Sequence, residues 1–145
     1  MIRSIAWVGL MLTMACNGPL PFMSGGPLAG EERPAPPNWI FAEDFAVVQL
    51  ETRPEDPYSV NVAYTLVDGD LFINAGDTET EWVGHMEANP LVRMRVDDVI
   101  YLLRAERVTD AAEISRFGDA WTSHSIFHRD PDGLEEVWLY RLVAR

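Results

Sequence analysis

Residues 58–69 decide the fold, and they read YSVNVAYTLVDG. Every second residue at the start of this stretch is apolar or aromatic: Tyr58, Val60, Val62, Tyr64 and Leu66. A period of two over this length predicts a β-strand with one buried face. The dipeptide Asp68–Gly69 that follows is typical of a tight hairpin turn. We therefore predict that the chain turns back on itself and that residues 71–75 form the antiparallel partner strand.

Further strands and two helices are predicted around this hairpin. The strands cover residues 45–51, 91–96, 99–108 and 134–143, which are apolar-rich runs bounded by turn-forming residues. Thr78 and Glu81, three residues apart, match the capping box that begins many helices, and Pro90 ends the first helix. The same capping pattern predicts a second helix from Asp110 to about His124.

The order of these elements is three strands, a short helix, two strands, a longer helix and a final strand. Strands outnumber helices, and most of them follow one another through tight turns. This order indicates an antiparallel sheet that curls into a small barrel, and it does not fit a doubly wound parallel sheet. We predict a mainly β (α+β) domain over residues 39–145, with about six strands and two helices.

Composition excludes several classes of function. The chain has 145 residues, of which 48% are hydrophobic and 23% charged, as expected for one compact domain. All 11 basic residues are Arg, against 23 acidic residues, and the formal net charge is −12. A nucleic-acid-binding protein needs a basic surface, so we expect no nucleic-acid partner. The absence of Lys excludes Schiff-base chemistry.

The N-terminus has the pattern of an export signal. Arg3 precedes an apolar run over residues 5–15, which is shorter than the ~20 residues that span a bilayer. Cys16 is the only Cys, and residues 12–16, LTMAC, resemble the lipobox of bacterial lipoproteins. This resemblance implies a signal peptide over residues 1–15 and a lipid on Cys16. It also implies a place in the bacterial cell envelope, and Asn17 favours the outer membrane. The alternative is an ordinary signal peptide with a Cys beside its cleavage site by chance.

A Pro- and Gly-rich segment separates this signal from the domain. Residues 17–38 contain six Pro and four Gly, and such a composition does not propagate a helix or a sheet. We predict a partly extended tether over residues 16–38. A tail without function would have the same composition.

The segment over residues 73–90 has the clearest chemical character. It runs from a predicted strand through the loop around Gly76 to a helix N-terminus. Free backbone N–H groups and the positive end of the helix dipole suit a phosphate there. Thr78 and Thr80 add hydroxyl donors, whereas Glu79 and Glu81 carry negative charge.

Residues 82–90, WVGHMEANP, carry a resemblance to a known superfamily. They resemble a helix in the deazaflavin-dependent nitroreductase branch of the pyridoxamine 5'-phosphate oxidase-like split β-barrel proteins. That branch has Trp, an aromatic residue, any residue, Asn, Leu, any residue, Ala, any residue and Pro at these positions. The strand order is also similar, and the resemblance covers about residues 39–145. It implies that the predicted barrel is a split β-barrel.

The resemblance also implies a cofactor, either FMN or a deazaflavin, and a homodimer that holds it between two barrels. The cofactor would lie against Gly76, Thr78, Thr80 and Trp82. Thr80 stands where the oxidase branch has a Ser that contacts the flavin phosphate. Trp82 stands where that branch has a Lys with the same role.

Arg93 and Arg95 are further candidates for the cofactor phosphate. They share one face of the predicted strand over residues 91–96, and paired guanidinium groups bind phosphate through bidentate hydrogen bonds. The alternative is that both belong to an outer face and pair with carboxylates of a neighbouring strand.

Histidine and aromatic residues offer weaker signals. His124 and His128 are four residues apart, but neither a Cys nor a third His accompanies them, so we predict surface histidines and no metal site. We expect His85 to lie on the surface of the first helix or to make a dimer contact, and not to be a ligand. The large aromatic residues Trp82, Trp121, Trp138 and Tyr140 are predicted to be core residues or a stacking wall for a cofactor ring.

Two functions follow from these interpretations. The first is a membrane-anchored oxidoreductase that uses the flavin or deazaflavin to pass a hydride to a small organic acceptor. The second is a non-catalytic envelope lipoprotein that keeps the barrel and binds a small ligand or a protein partner. The missing Lys, the acidic loop and the export signal favour the second. Haem binding, with His85 or His128 as axial ligand, is a third hypothesis.

Overall fold

An antiparallel sheet forms most of the computed structural model, which describes residues 18–44, 47–76, 78–124 and 138–145. Within these residues the strands are β1 (Glu31–Arg33), β2 (Val48–Thr52), β3 (Tyr58–Val62), β4 (Tyr64–Val67), β5 (Asp70–Ala75), β6 (Leu91–Val96), β7 (Val99–Val108) and β8 (Trp138–Ala144). The helices described there are a 3-10 helix (Ile40–Asp44), α1 (Glu81–Ala88) and α2 (Ala111–His124). The predicted mainly β class with two α-helices is confirmed.

The sheet closes on itself because one stretch of chain forms both of its ends. Its strand order is β3-β2-β6-β7-β8-β5-β4, and β1 adds to β7 in parallel. Val62 of β3 pairs with Val48, whereas Tyr64 of β4 pairs with Ile73, and only Ala63 lies between them. The chain therefore bridges the two ends and curls the sheet into a partly open barrel. The single strand predicted over residues 58–66 is two strands, because it changes its partner at Ala63.

The predicted hairpin turns are present. Asp68 and Gly69 have φ angles of 54° and 88°, and they connect β4 to its antiparallel partner β5. Two successive positive φ values match the right-handed twist of the paired strands, and Gly69 adopts its value without a Cβ clash. Asp97 has a φ of 54° in the turn between β6 and β7.

Inward-facing side chains of the strands fill the main core. Its fully buried members include Leu50, Leu71, Ile73, Met94 and Leu103. A smaller cluster on the opposite face of β5 packs under α2. There the Phe117 ring lies 6.1 Å from Phe72 and 6.4 Å from Trp121. Asp110 caps α2 by accepting the backbone N–H of Glu113 at 2.9 Å, so the predicted capping role of Asp110 is confirmed.

The start of α1 differs from the predicted capping box. The residue before the helix is Thr80, with φ −66° and ψ 146°, and its side chain makes no capping hydrogen bond. Its carbonyl accepts the backbone N–H groups of Val83 and Gly84. The helix therefore begins two residues later than the Thr78–Glu81 spacing predicts. Its end is as predicted, since Asn89 before Pro90 is extended.

The segment predicted to be a tether packs against the barrel in its described part. Residues 25–33, which we call the N-terminal strap, run from the free edge of β3 to β7. Gly25 and Ser59 exchange two backbone hydrogen bonds of 2.8 Å, and Leu28 is buried. At the far end Glu31 pairs with Val99. Proline limits regular strand formation here, but the strap still finds partners for its backbone groups, and this differs from the free spacer that composition predicts.

Several predictions lie outside the described residues. These are the signal peptide over residues 1–15, Cys16, His128 and the first part of the last strand. Strand β8 begins at Trp138, within the predicted range of 134–143. No helix in the described part of the chain is long and apolar enough to span a membrane.

Candidate functional site

The junction between β5 and α1 brings together four of the predicted site residues. Strand β5 ends at Ala75, which pairs with Trp138, and the exposed residue Gly76 follows. Thr78 and Thr80 are half-buried in the loop before α1. The first N–H groups of a helix have no acceptor within the helix, and since that of Val83 already donates to Thr80, the donors that α1 would offer to an anion are those of Glu81 and Trp82.

Two tryptophans belong to the elements that meet at the junction. Trp82, in the first turn of α1, and Trp138, at the start of β8, are half-buried, and both pack against the main core. Trp138 pairs with Ala75, the last residue of β5, so its backbone lies beside the strand end from which the exposed Gly76 follows. The junction thus combines polar donors with flat apolar surface, which is the usual composition of a small-molecule site.

Arg107 brings positive charge to this side of the barrel, and sequence analysis missed it. Its guanidinium lies 3.5 Å from the centroid of the Trp138 ring, and Nη1 lies 3.7 Å from a carboxylate oxygen of Glu87 in α1. Both side chains are more than a third exposed, so we assign this ion pair little stability. The contact depends on the pairing of β7 with β8, which no local pattern around Arg107 reveals.

Glu87 also ties α1 to the neighbouring strand. The buried Tyr140 hydroxyl donates a hydrogen bond of 2.7 Å to Oε1 of Glu87. Burial raises the pKa of the Tyr140 phenol well above its usual range, and the Glu87 carboxylate raises it further. The phenol therefore stays protonated at neutral pH and serves as a donor.

His85 holds the other side of α1 against the β2–β3 turn. Thr52 Oγ1 donates to the carbonyl of Tyr58 at 3.3 Å, so its hydroxyl oxygen is left to accept from Nδ1 of His85 at 3.0 Å. Nε2 of His85 then accepts from Nη1 of Arg53 at 3.4 Å. An imidazole tautomer with its proton on Nδ1 satisfies both contacts. His85 is therefore a half-buried contact between α1 and the β2–β3 turn of the same chain, which differs from the predicted helix-surface position, and it orients α1.

Arg93 and Arg95 lie on the outer face of β6, under the N-terminal strap. Their neighbours along the strand, Val92 and Met94, face the core that also contains Met86 of α1. Because successive side chains of a strand point to opposite faces, Arg93 and Arg95 face away from the side that α1 covers. They are therefore not brought together with the threonines of the junction.

Both arginines have partners on that outer face. Nη1 of Arg93 contacts the two carboxylate oxygens of Glu51 at 2.9 and 3.0 Å, and Nη2 contacts Glu32 of the strap at 2.8 Å. Arg95 donates to the carbonyl of Ala29 at 3.1 Å. Arg93 thus follows the alternative named above, since it pairs with the carboxylate of Glu51 on the neighbouring strand β2, whereas Arg95 bonds a backbone carbonyl instead of a carboxylate. A phosphate role for them stays a prediction, and it requires the strap to release them.

No group of three or more His, Cys, Asp or Glu side chains in the described residues is arranged to hold a metal ion. Cys16 and His128 lie outside those residues, and the side chain of His124 is not described either.

Comparison with known proteins gives structural neighbours only. No protein-family model and no curated protein sequence matches the chain. A conserved hypothetical protein from Mycobacterium tuberculosis is similar at 17% identity with a TM-score of 0.58, over 78% of this chain and 86% of that chain. A proposed pyridoxamine 5'-phosphate oxidase from Listeria innocua is similar at 17% identity with a TM-score of 0.54, over 72% of this chain and 87% of that chain. An FAD-binding protein from Mesorhizobium loti is similar at 18% identity with a TM-score of 0.50, over 72% of this chain and 84% of that chain.

The chain has the split-barrel fold. The neighbours cover most of the described domain, and their strand arrangement matches the curled antiparallel sheet described above. At such low identity the likeness concerns the fold alone, and the function has to be argued from the junction itself.

Proposed function

We propose that this split-barrel protein binds a flavin-type cofactor, FMN or a deazaflavin, at the β5–α1 junction. The observation that carries the proposal is the combination of Gly76, Thr78 and Thr80 at the start of α1 with the indole rings of Trp82 and Trp138. The FAD-binding neighbour from Mesorhizobium loti supports the cofactor class.

The residues of the junction fit such a cofactor in kind. The α1 N-terminus and the two threonine hydroxyls would hold the phosphate, and the tryptophans would cover the ring. Arg107 would supply positive charge near the junction, where Glu79 and Glu81 add negative charge on the exposed side. When bound, a flavin or deazaflavin supplies hydride transfer, and the protein's part is to orient it and exclude water. We propose an oxidoreductase that acts on a small organic acceptor, with two barrels pairing to complete the site.

Membrane attachment is the second part of the proposal. Cys16 would carry a lipid and hold the domain at the bacterial cell envelope, on the periplasmic side of the outer membrane. Fatty-acid labelling of the chain in a bacterial host tests this, and label is expected on the chain but not on the Cys16→Ser variant. Equal labelling of both would exclude Cys16 as the anchor.

Cofactor binding is tested by equilibrium dialysis of the purified protein with FMN and with a deazaflavin. Thr80→Val should weaken binding about tenfold, because it removes a hydroxyl donor to the charged phosphate, a contact worth roughly 1.5 kcal/mol. Thr109→Val, at an exposed position between β7 and α2, is the matched control and should leave affinity unchanged. Thermal unfolding of both variants separates a loss of binding from a loss of folding.

The non-catalytic lipoprotein is the second candidate function. The acidic residues Glu79 and Glu81 beside the junction favour it, as does the engagement of Arg93 by two carboxylates. It predicts no binding of either cofactor up to about millimolar concentration, with an otherwise folded protein. That result would overturn the oxidoreductase proposal and leave the barrel as a binding module.

A further inference from the structure

Large apolar side chains are exposed at several points in the described part of the chain. They are Leu20, Phe22, Met23, Ile40, Phe41 and Val47, with exposed fractions of 57%, 106%, 65%, 57%, 46% and 50%. Scattered exposed apolar residues are normal in soluble proteins, whereas a contiguous group marks an interaction surface.

Three contacts connect the segments that carry them to the region where β3 passes into β4, and the 3-10 helix also reaches β7, since the Phe41 ring lies 6.1 Å from that of Tyr101. The side-chain amide of Asn61 donates to the carbonyl of Leu20 at 3.0 Å. Val62 pairs with Val48, the neighbour of Val47. The Tyr64 hydroxyl donates to the carbonyl of Ala42, within the 3-10 helix that carries Ile40 and Phe41. We call this group of six side chains the apolar end of the barrel.

The turn over residues 20–23 presents the most exposed of these side chains. Met23 donates its backbone N–H to the carbonyl of Leu20 at 3.0 Å, and the next residues join the edge of β3 through Gly25 and Ser59. Phe22 has a φ of 67°, a left-handed value that is uncommon for a residue with a Cβ. The fold thus fixes a turn that exposes Phe22 completely, and nothing within this chain's described residues covers it.

The predicted membrane attachment point is close to this turn. The described chain begins at Gly18, which lies beside Gln49 of β2. Cys16 precedes Leu20 by four residues, and an extended chain spans at most about 3.5 Å per residue, so a lipid on Cys16 would be attached within about 14 Å of Leu20. A lipid on Cys16 would therefore bring the bilayer to this end of the barrel.

We propose that the apolar end docks on the surface of a neutral phospholipid bilayer, with Phe22 and Met23 inserted at the interface. This inference rests on the membrane attachment proposed above. The net charge of −12 and the exposed Glu43 in the 3-10 helix disfavour an anionic lipid surface, so the partner is zwitterionic lipid. The docked domain would lie directly on the membrane, because the strap leaves little free chain to act as a spacer.

A fluorescence depth measurement tests the docking. Phe22→Cys is introduced into the full chain, which is expressed in a bacterium and reconstituted in phosphatidylcholine vesicles. Acylation of Cys16 consumes its thiol, so a small environment-sensitive probe then labels residue 22 alone. Glu55→Cys is the matched control, because Glu55 is exposed in the β2–β3 turn at the opposite end of these strands.

We expect nitroxide-bearing lipids to quench the probe at residue 22 at least twofold more than the probe at residue 55, with a blue-shifted emission at residue 22. The same measurement at Met23→Cys should agree, which controls for the loss of the Phe22 ring. Equal quenching at both ends of a membrane-attached protein would overturn the docking proposal. So would protection of residue 22 in detergent together with sedimentation as a dimer, because a second copy would then cover the turn.

Failure of the anchor gives a different result. If Cys16 is not acylated, mass spectrometry finds the probe on Cys16 as well as on the engineered thiol. That outcome would overturn the membrane attachment, and the docking proposal with it, before any quenching is measured.

Discussion

Replacing Arg93 with Met tests whether this residue stabilises the barrel or binds the phosphate of a ligand. In the structure Arg93 faces Glu51, a carboxylate that is only 3% exposed. The strap covers the pair, since the backbone N–H of Leu28 donates to Glu51 at 2.6 Å. Arg93→Met removes the cation and leaves Glu51 buried with one backbone donor.

The expected loss of stability follows from that burial. Removing one partner of a buried ion pair costs about 3 to 5 kcal/mol, because the other charge is left without compensation. The side chain of Arg93 is 23% exposed, and its Nε is buried without an acceptor in the described structure, so the pair is imperfectly satisfied. We therefore expect the lower end, about 3 kcal/mol, or roughly 12 °C in melting temperature for a domain of this size.

Denaturant unfolding followed by tryptophan fluorescence measures this loss. Arg95→Met is the matched control on the same strand face, since it removes one hydrogen bond to the Ala29 carbonyl and should cost about 1 kcal/mol. The double variant Glu51→Leu/Arg93→Met removes both charges and should recover a large part of the stability.

Equal destabilisation by Arg93→Met and Arg95→Met would refute the reasoning. The reasoning would also be refuted if adding Glu51→Leu to Arg93→Met lowered the free energy of unfolding further instead of restoring part of it. If Arg93→Met instead leaves stability unchanged but lowers the affinity for FMN, the residue is a phosphate ligand and the strap is not its native partner.

Three further changes test other parts of the structure. Gly84→Ala should stabilise the protein by roughly 0.5 to 1 kcal/mol in denaturant unfolding, because a Cβ there meets nothing within 4 Å and Ala favours helix; a destabilised variant would mean that another chain packs on this face. Wild-type stability should fall as pH rises above about 10, where the unfolded phenol ionises and the buried Tyr140 does not. Tyr140→Phe should be less stable than wild type by about 1 kcal/mol at neutral pH. Its stability should also fall less steeply above about pH 10, because Tyr140 no longer contributes to that fall. An equally steep fall in both proteins would exclude Tyr140 as its source. Arg107→Leu should change the tryptophan emission spectrum by uncovering the Trp138 ring, and an identical spectrum would contradict the 3.5 Å contact.

The sequence predicts the local elements well because each has a short-range signal. The alternation over residues 58–66, the turn at Asp68–Gly69 and the cap at Asp110 all depend on neighbours within a few residues. The break at Ala63 has no such signal. It is set by the two different strands that pair on either side of it, one before it in the chain and one after.

The candidate site was predictable in part for the same reason. A strand, a polar loop and a helix N-terminus follow one another directly, so Gly76, Thr78 and Thr80 could be grouped from sequence. Arg107 could not be added to them, because its place beside Trp138 depends on the register of β7 with β8. Arg93 and Arg95 share one strand face, as the sequence predicts, but composition predicts a partly extended tether where the structure has the strap that covers this face.

The strap shows why glycine and proline content alone does not identify a flexible segment. Gly30 sits where the strap approaches the β6–β7 turn, and a Cβ at this position would lie 2.6 Å from the carbonyl oxygen of Asp98. The missing side chain therefore permits close packing of backbone on backbone, which is the opposite of a spacer's role. Proline suits the same segment, because a chain that crosses a sheet face makes few regular hydrogen bonds and loses little when an N–H is removed. One composition thus fits both a free tether and a tightly packed strap, and the buried Glu51 that accepts from Leu28 decides between them.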